Sequence, residues 1–259
     1  MILDEIAEYT KERVRALKAH KSLYAVRDEA EGRPQGKDFR AALAAPGLSV
    51  IAELKKASPS KGIIAPDFAD IYLRKAAEYV AGGAAAISCL TEPKFFQGSD
   101  AYLQAVRQRV ELPLLRKDFT LDEYQIYEAK CIGADAVLLI CSLLSAAQLG
   151  EYLAQVQELG LSALVEAHTA GEVQMALATG AEIIGVNNRN LKDFSVNPLN
   201  SLRLRDAIPA SKLFVAESGI QCAADAKALK QAGVQAVLVG EALMRSTDAA
   251  AMLKEMRDA

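Results

Sequence analysis

Five residues of this sequence pair reactive chemistry with a telling position. Glu53, Lys55, Lys117, Glu166 and Glu217 each stand at the end of a short apolar run, in SVIAELK, LLRKD, LVEA and FVAES. Any one such end can simply meet water, where a charge costs nothing. Gathered in one partly buried mouth, two lysines and three glutamates would shift one another's proton affinities and suit acid–base chemistry. A two-residue period puts Glu53 and Lys55 on the same side of their strand. Asn187 and Arg189 close a further run, IIGVNNR.

A second set of residues suits an anion. Ser218-Gly219 and Gly240-Glu241 follow the last two apolar runs, the second just before the helical turn EALMR. Small residues there let backbone N–H groups approach a phosphate closely. Each pair alone is a weak signal, and only the placement favours phosphate. The loop KKASPSKG, residues 55–62 with Ser58 inside it, reads by itself as a solvated basic turn, with a lid over an anionic substrate as the alternative. His168 and His20 have no partner at metal-ligand spacing and read as structural or surface residues. Cys89, Cys131, Cys141 and Cys222 show neither C-x-x-C nor zinc-like spacing, so reduced thiols and no metal are expected.

The elements that must position these residues follow from periodicity. Eight apolar runs are predicted as strands, at 49–54, 85–90, 113–118, 136–141, 162–167, 183–188, 213–218 and 236–241, with amphipathic stretches between them. Continuous apolar strands alternating with helices imply a parallel sheet buried on both faces. Eight such units imply an α/β fold of the (β/α)8 TIM-barrel type over residues 49–259. Gly83, Gly133, Gly180 and Gly233 precede every second strand, where a helix must end in a left-handed cap. An open doubly wound sheet would carry a glycine-rich fingerprint after its first strand, and none follows Leu54. Residues 1–48 read as an N-terminal helical extension packed on the barrel. Ile2, Ile6, Tyr9, Arg13 and Leu17 lie near helical spacing, residues 31–36 form a turn-rich patch, and a second short helix ends at Pro46-Gly47.

Composition excludes other classes. The chain has 259 residues, 51% apolar and 24% charged, which is globular rather than disordered. A net charge of −3 leaves no basic footprint for nucleic acid. No apolar run approaches the ~20 residues of a membrane span. The charged N-terminus lacks a secretory core, so a cytoplasmic location is expected.

The runs IAELKKASPSKG, TEPKFFQGS, LLRKDF, LVEAH, IGVNNRNL, VAESGI and VLVGEALMR, in this order between Val50 and Arg245, resemble the indole-3-glycerol-phosphate synthase family of tryptophan biosynthesis. The resemblance implies closure of the indole ring of 1-(o-carboxyphenylamino)-1-deoxyribulose 5-phosphate, with loss of carbon dioxide and water and no cofactor. It implies Lys117 as the general acid of ring closure. Glu166 and Lys55 would serve the proton transfers of dehydration, with the donor between them left open. Glu53, Asn187 and Glu217 would orient the lysines and substrate hydroxyls, and Arg189 would help hold the anionic substrate. Ser218, Gly219, Gly240 and Glu241 would bind phosphate, the last through its backbone N–H. Ser58 joins the substrate-binding set, and Phe96 and Phe119 would wall the anthranilate ring. A monomer or weak homo-oligomer acting on a small phosphorylated molecule is expected. Two rivals stay open: a Schiff-base lysine aldolase, and a phosphate-ligand sensor without catalysis.

Overall fold

The computed structural model describes residues 2–190 and 195–259. Leu191, which ends the run IGVNNRNL, lies outside them. Eight parallel strands form the body: β1 (Ser49–Leu54), β2 (Ala86–Leu90), β3 (Leu114–Lys117), β4 (Ala136–Ile140), β5 (Ser162–Ala167), β6 (Ile183–Asn187), β7 (Leu213–Glu217) and β8 (Ala236–Val239). They close in the order β1-β8-β7-β6-β5-β4-β3-β2, with β2 paired back onto β1. The expected (β/α)8 barrel is therefore the observed fold. Several strands stop one or two residues short of the expected ends, because the chain leaves the ladder there. Cys141 opens a 3-10 turn, Ser218 turns left-handed, and Gly240 caps a short helix, Glu241–Arg245. The four repeated glycines adopt φ of 78°, 89°, 89° and 81°, as their helix-ending role requires.

The strands are buried on both faces, so one set of side chains meets the surrounding helices and the alternate set fills the barrel. Inside, the odd-numbered strands contribute Ile51, Leu115, Leu164 and Val215, all without solvent exposure. Two residues further along each of those strands stand Glu53, Lys117, Glu166 and Glu217. Barrel interiors stack in layers of four drawn from alternate strands. The layer above the apolar one is thus built from three carboxylates and one ammonium.

Three helices precede the barrel: α1 (Ile2–His20), α2 (Leu23–Glu31) and α3 (Phe39–Leu43). Helix α2 adds to the two segments expected from the sequence. Ser22 starts it by accepting the Ala25 N–H, and Val26 and Ala30 bury against Tyr124 and Tyr127. Helix α3 is shorter than expected and ends before Pro46-Gly47; Phe39 and Leu43 are fully buried in the cluster that contains Ile51 and Leu115. Helix α1 ties to the other end of β3, where Arg13 donates to the Asp118 carboxylate at 2.7 Å.

A single carboxylate fastens the extension to the base of the barrel. Asp135, 3% exposed, accepts the N–H of Lys37 at 2.6 Å, the N–H of Leu114 at 2.8 Å and the Arg107 guanidinium at 2.9 Å. Removing one partner of a buried charged set strands the others. Asp135→Ala is expected to lower the unfolding free energy by about 3 kcal/mol in urea titration. A change below about 0.5 kcal/mol, the usual effect of a surface substitution, would contradict this reading.

Candidate active site

The carboxyl ends of the strands surround a cavity of about 1000 Å³. Its lining contains Glu53, Lys55, Ser58, Phe96, Lys117, Phe119, Glu166, Asn187, Arg189, Glu217, Ser218, Gly219, Gly240 and Glu241. Every residue expected to act on or bind the substrate therefore faces one space. Among the described residues, no group of three or more His, Cys, Asp or Glu is arranged to hold a metal ion.

The five charged residues divide into two groups. The Lys55 ammonium donates to Glu53 Oε1 at 2.6 Å. Lys117 Nζ lies 3.5 Å from Glu166 Oε2 and 3.4 Å from Glu217 Oε2. Burial alone would push the Lys117 ammonium down, but Glu217, Glu166 and Glu53 outweigh it and hold the group above the ordinary lysine value. The formal sum is informative: three glutamates against two lysines leave one excess negative charge. Burial, helped by Glu166 and Glu53 and opposed by Lys117, raises Glu217 to about 7. A proton taken up by Glu217 relieves the excess charge of the layer.

Two glycines make room for this layer. A Cβ on Gly185 would stand 2.2 Å from Glu217 Oε1, and one on Gly240 would stand 2.4 Å from Glu53 Oε1 and 2.9 Å from Lys55 Nζ. Gly240 thus borders the Glu53–Lys55 pair as well as the expected phosphate loop, and enlarging it would disturb both.

Lys117 is aimed by its neighbours in sequence, which face the opposite way. Arg116, 3% exposed, pairs with Glu128 at 2.7 Å and Asp100 at 3.0 Å. Asp118 accepts from Arg13, from Thr91 at 3.1 Å and from the Phe119 N–H at 2.8 Å. With residues 116 and 118 clamped, the backbone at 117 has one setting.

The apolar wall consists of Phe96 and Phe119, whose ring centroids are 6.0 Å apart and tilted by 42°. Fully buried Glu92 shapes the loop that carries Phe96, accepting the N–H groups of Lys94, Phe95 and Phe96 at 3.0, 2.7 and 2.9 Å. On the opposite side, Ser218 and Gly219 have φ of 67° and 80°, and Asn188 Nδ2 donates to the Ser218 carbonyl at 3.0 Å. For a serine this left-handed setting is uncommon and needs such fixing. The carboxylate of Glu241 points at cations, Arg245 Nε at 3.2 Å and Lys61 Nζ at 3.8 Å. Residues 57–58 and 62–63 pair as a short antiparallel hairpin, so the basic loop is folded rather than a free turn.

Sequence reasoning missed several contributors. His168 is not a surface residue: its Nε2 lies 3.5 Å from Glu166 Oε1 and its side chain is only 16% exposed. Arg116 and Asp118 had a signal, since charges alternating with an inward lysine must face the helices and find partners there. Gly185 had one too, because a lone glycine in a strand marks a close approach. Glu92 had none; only the folded loop reveals the three N–H groups it receives.

With the geometry in hand, relatives can be compared. The family described as Indole-3-glycerol phosphate synthase matches residues 3–256. A protein of Ruminiclostridium cellulolyticum named indole-3-glycerol phosphate synthase is 52% identical over 259 residues, covering 99% of each chain. One of the same name from Endomicrobium trichonymphae is 51% identical over 260 residues, covering 100% of each. Among solved structures, a 3-hexulose-6-phosphate synthase aligns with a TM-score of 0.63 at 19% identity, over 82% of this chain and 99% of that one. Tryptophan synthase subunit alpha from Legionella pneumophila aligns at 0.61 and 13% identity, over 85% and 97%. These two share the barrel fold. Identity near one half along the whole length is another matter, and by it the chain belongs to the indole-3-glycerol phosphate synthase family.

Proposed function

We propose that the chain closes the indole ring of 1-(o-carboxyphenylamino)-1-deoxyribulose 5-phosphate, releasing carbon dioxide and water to give indole-3-glycerol phosphate. The observation that carries this reading is a lysine, Lys117, set within 3.5 Å of two carboxylates in a cavity with an aromatic wall. In the reaction, the ring carbon bearing the carboxylate bonds to the ribulose carbonyl carbon. The carbonyl π pair moves to oxygen, which takes a proton from Lys117. Its neighbours keep that proton in place until an oxyanion develops, and the oxyanion is basic enough to remove it. The nitrogen meanwhile bears positive charge. Departure of carbon dioxide leaves its bonding pair with the ring and restores aromaticity. The new hydroxyl then leaves as water, and the adjacent methylene gives up a proton. Lys55 and Glu166 serve these two proton transfers, one donating to the leaving hydroxyl and the other accepting from the methylene.

Glu53 and Glu217 orient the lysines, and Asn187 meets a substrate hydroxyl. Phe96 and Phe119 hold the aromatic ring while the loops after β7 and β8 grip the phosphate, so the reacting carbons are pressed together. Ser58 and Arg189 complete the mouth that receives the anionic substrate. The Glu241 carboxylate is compatible with a nearby phosphate because Arg245 and Lys61 already face it. An aldolase built on Lys117 fits less well, since a Schiff-base lysine must be neutral to attack and the carboxylates around Lys117 favour its charged form.

Incubation with the carboxyphenylamino-deoxyribulose phosphate, followed by fluorescence of the indole product, tests the reading as a whole. Lys117→Met keeps most of the side-chain volume without the proton. It is expected to lower kcat by at least about 100-fold while substrate still binds. Near-wild-type turnover would remove Lys117 from the acid role.

The phosphate grip is tested at residue 241, since enlarging Gly240 would also strike Glu53 and Lys55. Glu241→Pro removes an N–H at the first position of the short helix, where proline is tolerated, and Glu241→Ala removes only the side chain. Loss of one charge-assisted hydrogen bond of about 1.5–3 kcal/mol should weaken substrate affinity roughly ten-fold or more in the proline variant relative to the alanine one. The dephosphorylated substrate should show no such difference. Equal losses with both substrates would move the phosphate elsewhere.

A further inference from the structure

Glu166 does not end at the cavity. Two residues further along, His168 leaves β5 on the same side, and its ring lies between two carboxylates. Nε2 is 3.5 Å from Glu166 Oε1, and Nδ1 is 3.6 Å from Glu172 Oε2. Both Glu166 Oε1 and His168 Nε2 are buried, and neither has a hydrogen-bond partner elsewhere among the described residues. The ring is held from its backbone as well. The His168 N–H donates to Glu172 Oε2 at 2.5 Å, and Asn200 Nδ2 donates to the His168 carbonyl at 3.2 Å. Glu172 is itself fixed in the first turn of the helix Ala170–Ala178, its N–H donating to the capping Thr169. His168 is absent from the lining of the cavity, so it reaches the chemistry only through Glu166.

A neutral imidazole can donate to one of these carboxylates; only an imidazolium can donate to both. We infer that His168 is a positioning residue for Glu166, bridging it to Glu172 as an imidazolium and fixing the Glu166 carboxylate as an anion aimed into the cavity. The inference rests on the reading of Glu166 as a proton-transfer group. Its charge surroundings agree with it. Burial would push the imidazole down, but Glu172, Glu166 and Glu217 outweigh it and raise His168 above the ordinary 6.5. The Cys141 thiol, which donates to the Glu172 carbonyl at 3.7 Å, is pushed up to about 12 by burial and stays neutral. Lys117 stands on the far side of Glu166, 3.5 Å from its other oxygen. Glu166 is thereby clamped between two cations, one facing substrate and one facing the scaffold.

The chain has two histidines, His20 and His168, which makes a direct test practical. Imidazole 1H–15N NMR on the full-length protein, with His20→Gln to assign the signals, follows the His168 ring through pH. Both ring nitrogens are expected to be protonated up to a midpoint above 6.5, and Glu172→Gln should lower that midpoint. In steady-state kinetics, His168→Gln is expected to lower kcat about ten-fold with KM unchanged. The wild-type kcat should fall as pH rises through the His168 midpoint. His168→Gln should lack that limb, and Glu172→Gln should shift it to lower pH. Glu217 also titrates near neutrality, but its limb would not move with Glu172. A His168 midpoint at or below 6.5, or one unmoved by Glu172→Gln, overturns the bridge. So does a His168→Gln enzyme with wild-type kcat and pH profile. Glu172→Gln leaves the ring and its packing in place, so the NMR result decides the matter even where His168→Gln fails to fold. Failure of the wild type to make an indole product would overturn the reaction instead, while the NMR midpoint still reports on the bridge.

Discussion

The structure depends on one electrostatic constraint: a lysine ammonium must neutralise carboxylates drawn from three different strands inside a barrel. Glu53, Glu166 and Glu217 share a layer with Lys117 directly above four apolar side chains. Isolated buried charges of either sign are too costly to hold. Lys117 and the glutamates are therefore tolerated only together, and the proximity that makes them tolerable is also what gives them unusual proton affinities. Lys55, paired with Glu53, supplies the second cation and keeps the imbalance to one charge.

Much of the rest of the site reads as provision for that layer. Gly185 and Gly240 leave space where any Cβ would strike a carboxylate. Arg116 and Asp118 lock the strand end from outside, and Asp118 is in turn held by Arg13 of α1. The extension is thus mechanically linked to the residue next to Lys117. At its other end it is fastened through Asp135 to the base of the barrel. A site that depends on fixed charge geometry needs a scaffold without slack, and these ionic clamps provide it.

The barrel was legible because its strands are continuous apolar runs at near-regular intervals, each closed by a helix and a turn. The inward charges were legible for the same reason: Glu53, Lys117, Glu166 and Glu217 stand near the ends of runs that are mostly apolar. Partnerships across strands were not. The two-residue spacing sets Lys55 beside Glu53, but nothing in it says that Lys117 faces Glu166 and Glu217, because strand order and shear decide which strands' residues meet. Helix α2 escaped because its apolar positions are few and its partners, Tyr124 and Tyr127, lie about a hundred residues away. His168 was read as structural or surface because its partner Glu166 lies two residues away on the same strand face, a pairing that metal-ligand spacing does not test.

Burial among like charges raises Glu217 until it holds a proton near neutrality. The most direct measurement is the unfolding free energy of the wild type and of Glu217→Gln, compared across pH. Glu217 is raised from 4.5 to about 7 in the folded state, so between those values the folded chain binds more protons than the unfolded one. Stability should then fall as pH rises through that window in the wild type, and the difference between wild type and Glu217→Gln should fall with it. A difference that stays constant from pH 4.5 to 7, or rises, would mean that Glu217 is an ordinary ionised partner of Lys117 and that no proton on it relieves the layer's excess charge.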